Sequence, residues 1–325
     1  MPQPTQSQVH VDAILTNISV AYMQKSENFI ADKVFPVIPV DKQSDKYFTY
    51  TKNDWLRDEA QVRADGTESV GSGYNITTDT YYSDVWAIHK DVGDQTRSNA
   101  DAPINVDREA AEFVTHRLLL RRELQFVSDF MSGGVWGTTA SGVASGASTG
   151  EFVQWDKYTT SDPIEDIEAG KQEILSVTGQ EANTLVLGYE VFRQLKNHPD
   201  LVDRIKYTSS QTITEDMLAR MFDIDRVLVS KAIKATNAEG ATGAYGFATG
   251  KSALLAHVAP NPGLLTPSAG YTFQWTGVSG GLGATIGTSS FRLESLKATR
   301  IEAEIAFDNK VVGSDLGYFF GSAVS

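Results

Sequence analysis

The segment GFATGKS, residues 246–252, is the part of this sequence that most resembles a phosphate-binding loop. In such a loop, four residues between two glycines let successive backbone N–H groups wrap around the phosphates of a nucleotide. Here three residues separate Gly246 from Gly250, and Pro260 follows soon afterwards, where the motif requires a long helix. The spacing therefore argues against nucleotide binding.

The other residue types that could do chemistry are scattered along the chain. None of the five histidines has the close spacing to another ligand that a metal site requires. The absence of cysteine excludes disulfides, thiolate metal ligands and a cysteine nucleophile. There is no G-x-S-x-G serine motif, and the pair Asp223 and Asp225 is too common a pattern to indicate an active site. The sequence predicts no catalytic residue, metal or cofactor, and a hydrolase using unrecognised carboxylates is the least supported alternative.

The composition is that of a globular protein with an acidic balance. The chain has 325 residues, with 28 Lys+Arg against 41 Asp+Glu and a formal net charge of −13. This balance argues against a protein that grips nucleic acid by releasing counterions. The first 30 residues lack the basic segment and apolar run of a secretory signal, and no stretch is typical of a membrane span.

Two aromatic, β-branched segments, residues 46–56 and 74–92, predict the strands of a long hairpin. The polar residues 57–73 between them form its tip. A two-stranded ribbon is marginally stable alone, so this hairpin needs a partner surface. Its aromatic residues favour protein packing over the stacking of nucleic-acid bases, because few basic residues accompany them. Before the hairpin, two prolines in residues 32–40 predict an extended arm.

Residues 107–132 predict the longest helix, with Asp107 as its N-cap and Ser132-Gly133-Gly134 at its end. Three arginines cluster on this helix: Arg117, Arg121 and Arg122. We interpret them as forming local ion pairs on a solvated face, with salt bridges to a neighbouring subunit as the alternative.

The second half of the chain follows a Gly/Ser/Thr-rich loop at residues 133–150. Helical and strand patterns then alternate from residue 163 onwards, which is typical of an α/β subdomain. Residues 298–307 alternate apolar and charged side chains and predict a half-buried strand, and a last strand is predicted at 318–324. The stretch 252–291 carries no charge. It is either a run of buried strands and loops or a surface that packs against other copies of the chain.

The order of these elements resembles the major capsid proteins of tailed phages, whose fold is the Hong Kong 97-type. The phrases that carry the resemblance are ADKVFPVIPV, YFTYTKNDWLRDEAQVRADG, INVDREAAEFVTHRLLLRRELQFVSDFM, ANTLVLGYEVFRQLKNHPDLVDRIKY and ITEDMLARMFDIDRVLVSKAIKAT. The resemblance implies an α+β fold with the following parts: an N-terminal arm (1–42), an E-loop hairpin (43–90), a P-domain with a spine helix (91–162, helix 107–132), an A-domain (163–291) and return strands of the P-domain (292–325).

The resemblance also implies a structural function: self-assembly into hexamers and pentamers of an icosahedral shell that encloses double-stranded DNA without sequence-specific binding. We expect E-loop contacts with other subunits through Trp55, Arg57 and Arg63. We expect Gly263, Ser268 and Ser279 near the centre of a capsomer, where an uncharged segment avoids repulsion between five or six copies.

The partners implied are a portal and, as in some family members, a decoration protein. Because this sequence passes from a short polar tip directly into the arm, the resemblance implies either a scaffolding protein on a separate chain or none. Localisation would be the virion capsid, after assembly in the host cytoplasm. The covalent Lys–Asn crosslink of some family members has no recognisable pair here. An encapsulin-like compartment holding protein cargo is the alternative with the same fold.

Overall fold

A computed structural model describes residues 23–100, 104–205, 213–263, 265–278 and 286–325. In this part of the chain the helices, numbered α1 to α8, are Ala31–Val34, Lys52–Trp55, Asp94–Ser98, Val106–Phe130, Pro163–Thr178, Tyr189–Lys196, Pro199–Ile205 and Glu215–Met221. The strands, β1 to β15, are Val37–Val40, Ser44–Tyr50, Ile76–Tyr82, Asp84–Gly93, Thr138–Val143, Glu151–Val153, Thr184–Gly188, Arg226–Ser230, Ile233–Ala235, Tyr245–Phe247, Ala253–Ala256, Gly270–Trp275, Gly287–Leu293, Ala298–Val311 and Gly317–Gly321.

One sheet is built around the long strand β14. Strands β12 and β13 pair with successive parts of one edge of β14, β4 pairs with the other edge, and β1 lies parallel to β12. The alternation predicted for residues 298–307 is confirmed, since Ile301, Ala303 and Ile305 are buried and pack against Ala110 and Val114 of α4. The long helix therefore covers one face of this sheet.

The long helix begins and ends slightly earlier than predicted. Asn105, rather than Asp107, is its N-cap, because the Asn105 side chain accepts a hydrogen bond from the Arg108 backbone N–H at 3.1 Å. Asp107 lies in the first turn and forms an ion pair with Arg97 at 2.7 Å. The last helical residue is Phe130.

The second sheet has six strands in the order β6-β5-β15-β11-β7-β8. Its pairing crosses the predicted domain boundaries, because β5 and β6 come from the predicted P-domain segment and β15 from the predicted return strands. The short apolar strand β15 lies between β5 and β11. In this central position both of its phenylalanines are buried, Phe319 on one face of the strand and Phe320 on the other. It ends at Gly321, before the predicted limit at 324.

The hairpin is shorter than predicted. Strand β2 pairs with β3 from Ser44 opposite Tyr82 to Tyr50 opposite Ile76, and residues 52–55 form a helical turn instead of continuing the strand. At Ser83, which is buried and donates its backbone N–H to the Gln43 carbonyl oxygen, the chain leaves the hairpin and enters β4. Residues 84–93 therefore belong to the five-stranded sheet and pack under α4.

Candidate functional site

The two faces of the hairpin have different surroundings. On the inner face, the Tyr81 ring stacks on Phe273 of β12 with centroids 4.6 Å apart, and Tyr47 packs beside the same ring. Tyr81 is only 6% exposed as a result. On the outer face, Phe48, Ile76 and Tyr82 are 57%, 48% and 57% exposed. The hairpin thus rests on its own sheet and presents an apolar outer face to its surroundings.

The tip of the hairpin carries the predicted contact residues. The Trp55 ring lies 5.5 Å from Tyr74 and 6.1 Å from Tyr50, and its side chain is 54% exposed. Arg57 pairs with Glu59 at 3.3 Å, and the Arg63 Nε donates to the Thr67 carbonyl oxygen at 2.5 Å. All these contacts lie within the hairpin. Contact of Trp55, Arg57 and Arg63 with other subunits stays a prediction.

The three arginines of the long helix do not form the predicted ion pairs. Within the described residues, none has a carboxylate at salt-bridge distance, because no acid lies three or four positions away on the same face. Arg117 lies over the Phe113 ring at 5.0 Å, and Arg121 lies over the Trp86 ring at 3.9 Å. Within the same residues, Arg122 is 4% exposed and its Nη1 has no hydrogen-bond partner. Salt bridges from these arginines to a neighbouring subunit stay a prediction.

A buried glutamate of the same helix binds the arm. One carboxylate oxygen of Glu123, Oε2, accepts hydrogen bonds from the backbone N–H groups of Ile30 and Ala31, each at 2.9 Å. The other oxygen accepts from the Ser230 hydroxyl of β8 at 2.8 Å. Burial raises the pKa of Glu123. No local feature of the sequence indicates this role, because the arm is more than 90 positions away.

The opposite end of the same arm turn is held by a second long-range contact. The Arg226 guanidinium donates to the carbonyl oxygens of Lys33 at 2.9 Å and Val34 at 2.8 Å. Its Nε also donates to the Thr184 hydroxyl at 3.0 Å. Because β8 is the edge strand of the six-stranded sheet, the arm turn α1 is fixed between this edge and the long helix.

The charge-free stretch is partly interior. Strand β11 is fully buried, and Ser268 is 2% exposed, with its hydroxyl donating to the Gly270 carbonyl oxygen at 3.1 Å. Ser268 is therefore buried within the subunit, where its hydroxyl closes a turn, and its position near a capsomer centre stays a prediction. Gly263 lies on an exposed turn, where its carbonyl oxygen accepts from the Thr266 N–H. Ser279 lies outside the described residues.

The fold also brings together a serine, a histidine and an aspartate that sequence spacing did not reveal. The Ser161 hydroxyl lies 3.0 Å from Nε2 of His198, and the Asp200 carboxylate lies 3.6 Å from its Nδ1. However, the Ser161 hydroxyl donates to the Lys157 carbonyl oxygen at 2.9 Å, and His198 Nδ1 accepts from the Asp200 N–H at 3.4 Å. This pattern assigns the imidazole proton to Nε2, which donates to Ser161.

That proton position is the reverse of the one in a catalytic triad, where Nε2 must accept the serine proton. His198 is 0% exposed and Ser161 is 6% exposed, so a substrate has no access to either group. The three residues join the loop before α5 to the start of α7. Their role is structural.

Among the described residues, no group of three or more His, Asp or Glu side chains could hold a metal ion. Nor is any helix there long and apolar enough to cross a membrane.

The chain is similar in sequence and in structure to phage proteins. No family model matches the chain. The major capsid protein of Burkholderia phage BcepMu is 26% identical over 321 residues, which is 95% of each chain. A phage-related protein from Bordetella bronchiseptica RB50 has a similar crystal structure, with a TM-score of 0.68 and 24% identity over 92% of this chain and 94% of that one.

Two more distant structures share the fold. The capsid protein of cyanophage P-SCSP1u matches with a TM-score of 0.63 and 11% identity, over 97% of this chain and 93% of that one. An encapsulin from Synechococcus elongatus PCC 7942 matches with a TM-score of 0.59 and 10% identity, over 96% and 92%. At 10% identity the encapsulin shows the fold alone. The relative that matches 95% of this chain in sequence, from Burkholderia phage BcepMu, is a major capsid protein. The chain is a homologue of a phage major capsid protein and has the Hong Kong 97-type fold of phage capsid proteins.

Proposed function

We propose that this chain is a major capsid protein that assembles into hexamers and pentamers of an icosahedral shell around double-stranded DNA. The observation that carries the proposal is the 26% identity with a phage major capsid protein across 95% of both chains. The outer face of the hairpin supports it, because an exposed apolar face on a ribbon is typical of a protein that buries it on another subunit. The function is structural, with no enzymatic step.

The domain assignment and the partners belong to the same proposal. Residues 1–42 would be the arm, 43–90 the E-loop, 91–162 and 292–325 the P-domain, and 163–291 the A-domain. The strand pairing described above joins the last strand and residues 138–153 to the A-domain sheet, so the two domains share strands. A separate scaffolding protein, a portal and a decoration protein would complete the particle, which would assemble in the host cytoplasm and end as the virion capsid.

The hairpin tip would contact a neighbouring subunit. Residues 57–73 are almost all exposed, and Val62 is entirely so. Deletion of residues 58–73 should leave a folded subunit, because the hairpin base is held by Tyr81 on Phe273. Normal shells should not form. The measurement is electron microscopy of the purified variant, with thermal unfolding to show that the subunit is intact.

A matched control separates the tip from the base. Tyr81→Ser removes the inner stack and should free the hairpin while leaving the tip residues unchanged. If the deletion assembles like the unmodified chain, the contact role of the tip, including Arg63, is wrong.

The exposed turn at residues 261–263 would lie near a capsomer centre. Asn261→Asp tests this with a change of charge but not of volume, since Asn261 is exposed. Five or six copies of that charge around one axis should weaken assembly by several kcal/mol per ring, at roughly half a kcal/mol per screened pair. Unchanged assembly yield would place this turn away from the axis.

A further inference from the structure

The two faces of the five-stranded sheet differ in charge. On the face that carries the hairpin, Arg300 is held by Asp91 at 2.7 Å and Lys310 lies 3.4 Å from Asp308. These pairs leave the acidic side chains of that face in excess, because Glu302 and Glu304 have no salt bridge within the described residues. The hairpin face is therefore acidic.

The opposite face, where the long helix lies against β4, has a rim of cations supported by aromatic rings. Lys90 lies over the Phe113 ring at 5.4 Å, and Arg117 lies over the same ring at 5.0 Å. Arg121 lies over Trp86 at 3.9 Å and bonds the Gln125 side chain at 2.7 Å. We call the set Lys90, Arg117 and Arg121 with Phe113 and Trp86 the cationic rim.

Within the described part of the subunit, no carboxylate lies at salt-bridge distance from the three cations of the rim. Asp129 is linked to Arg121 only through Gln125, which accepts from Arg121 and donates to Asp129 at 2.8 Å. Glu112, the acid next to Phe113, is paired with Arg108 at 2.8 Å. Glu123, two positions after Arg121, is buried and faces the arm. Although the net charge of −13 argues against strong overall binding to nucleic acid, a rim of cations without salt-bridge partners fits a polyanionic partner locally, because Lys and Arg that release counterions from phosphates gain binding free energy.

We propose that the cationic rim contacts the phosphate backbone of the packaged double-stranded DNA, so that the helix-bearing side of this sheet faces the interior of the shell. The proposal rests on the proposed capsid function. The hairpin, with its apolar outer face, lies on the opposite side of the sheet and is the part suited to other subunits. The acidic hairpin face would repel DNA, and the cationic rim would attract it. Arg and Lys contacts to phosphate carry no base information, so the binding is independent of sequence.

The test measures binding of a random-sequence duplex to the purified full-length chain by fluorescence anisotropy across a series of salt concentrations. Each phosphate contact contributes about 0.9 to the slope of log affinity against log salt, so three contacts predict a slope of roughly −2.7. Arg117→Gln should reduce the magnitude of the slope by about 0.9, and Lys90→Gln with Arg117→Gln by about 1.8. Arg117→Lys should restore the slope, because a point charge suffices for phosphate.

The matched control is Arg108→Gln, an exposed arginine of the same helix that is already paired with Glu112. It should leave the slope unchanged. The proposal is overturned if the unmodified chain binds no duplex at low salt, or if the double variant keeps the full slope. It is also overturned if the double variant binds DNA normally and loses only particle formation, since the rim would then meet a second copy. Failure of the unmodified chain to form particles would count against the proposed function, whereas the slopes test the rim alone.

Discussion

Glu123 and Arg226 hold opposite ends of one helical turn of the arm, residues 31–34. The Glu123 carboxylate binds the N–H groups at the start of this turn, and the Arg226 guanidinium binds the carbonyl oxygens at its end. Charged side chains thus satisfy backbone groups that a four-residue helix cannot satisfy internally. Because Glu123 lies on the long helix and Arg226 on the edge of the six-stranded sheet, the turn joins the long helix to that sheet.

Removing the Glu123 side chain should destabilise the subunit strongly. Glu123→Ala leaves two buried backbone N–H groups and the Ser230 hydroxyl without their acceptor, which costs roughly 3 kcal/mol or more. Urea unfolding measures the change. Glu112→Gln, at an exposed position of the same helix, is the control and should change stability by no more than about half a kcal/mol. Equal losses for the two variants would contradict the role assigned to Glu123.

The contribution of Glu123 should depend on pH. Burial raises its pKa in the folded chain above the unfolded value, so the folded state binds more protons in the window between the two. Its contribution is complete below the unfolded pKa and declines as the pH rises through the folded pKa. Glu123→Gln removes this dependence, so the stability of this variant relative to the unmodified chain should increase with pH across that window. A difference that is constant with pH would contradict this.

Arg226 should act together with Glu123. Arg226→Gln loses the two bonds to Lys33 and Val34 and should release the end of the arm turn, with a loss of about 2 kcal/mol. Once either end is free, losing the other costs less, so the double variant with Glu123→Ala should be less destabilised than the sum by about 1 kcal/mol. A double-mutant cycle in urea measures this coupling. Strict additivity would show that the two contacts are independent.

A half-buried acid of α5, Asp166, should make stability depend on pH between about 4 and 6. Burial raises the pKa of Asp166 to about 6, with a smaller contribution from Asp162, although Trp155 Nε1 donates to it at 2.8 Å. Because the folded pKa exceeds the unfolded value near 3.9, stability from this group is lost as the pH rises from about 4 to 6. Asp166→Asn keeps an acceptor for Trp155 and should gain about 1–2 kcal/mol relative to the unmodified chain over that range, allowing for partial solvent screening.

The measurement for Asp166 is urea unfolding of both chains at several pH values, followed by Trp fluorescence. Glu168→Gln is the control, since Glu168 is an exposed acid of the same helix α5. A flat difference for Asp166→Asn between pH 4 and 6 would contradict the raised pKa.

Gly317 should tolerate no side chain. A Cβ at this position would lie 2.2 Å from the ring of Trp136, which is 4% exposed and donates its Nε1–H to the Phe130 carbonyl oxygen at 2.7 Å. Gly317→Ala should therefore lower stability by about 2–3 kcal/mol or more, measured by thermal unfolding. At Gly246 the nearest atom would be 3.5 Å away, so Gly246→Ala should have a small effect. Similar melting temperatures for the two variants would argue against tight packing around Trp136.

The sequence predicted the elements that depend on local pattern. The alternation from residue 298 predicted β14, the apolar spacing from 107 predicted the long helix, and Asp162 with Pro163 predicted the start of α5, where the Asp162 side chain does accept the Ile164 and Glu165 N–H groups. These signals are local, because each element carries its own periodicity or cap.

Long-range relationships could not be predicted in this way. Nothing near Glu123 shows that it binds Ile30, and nothing near Tyr318 shows that its strand pairs with residues 138–141. The charge pattern of the sequence predicts carboxylate partners for Arg117 and Arg121, whereas their aromatic partners depend on how α4 lies on β4. Partners of this kind are set by packing between elements.

Electron microscopy of the purified full-length chain tests the capsid function most directly. We expect closed icosahedral shells built from hexamers and pentamers. In these shells a neighbouring subunit covers the outer face of each hairpin, including Phe48 and Ile76, which are exposed in the single subunit. Subunits that stay separate under every assembly condition, or closed shells in which Phe48 and Ile76 remain exposed to solvent, would contradict it.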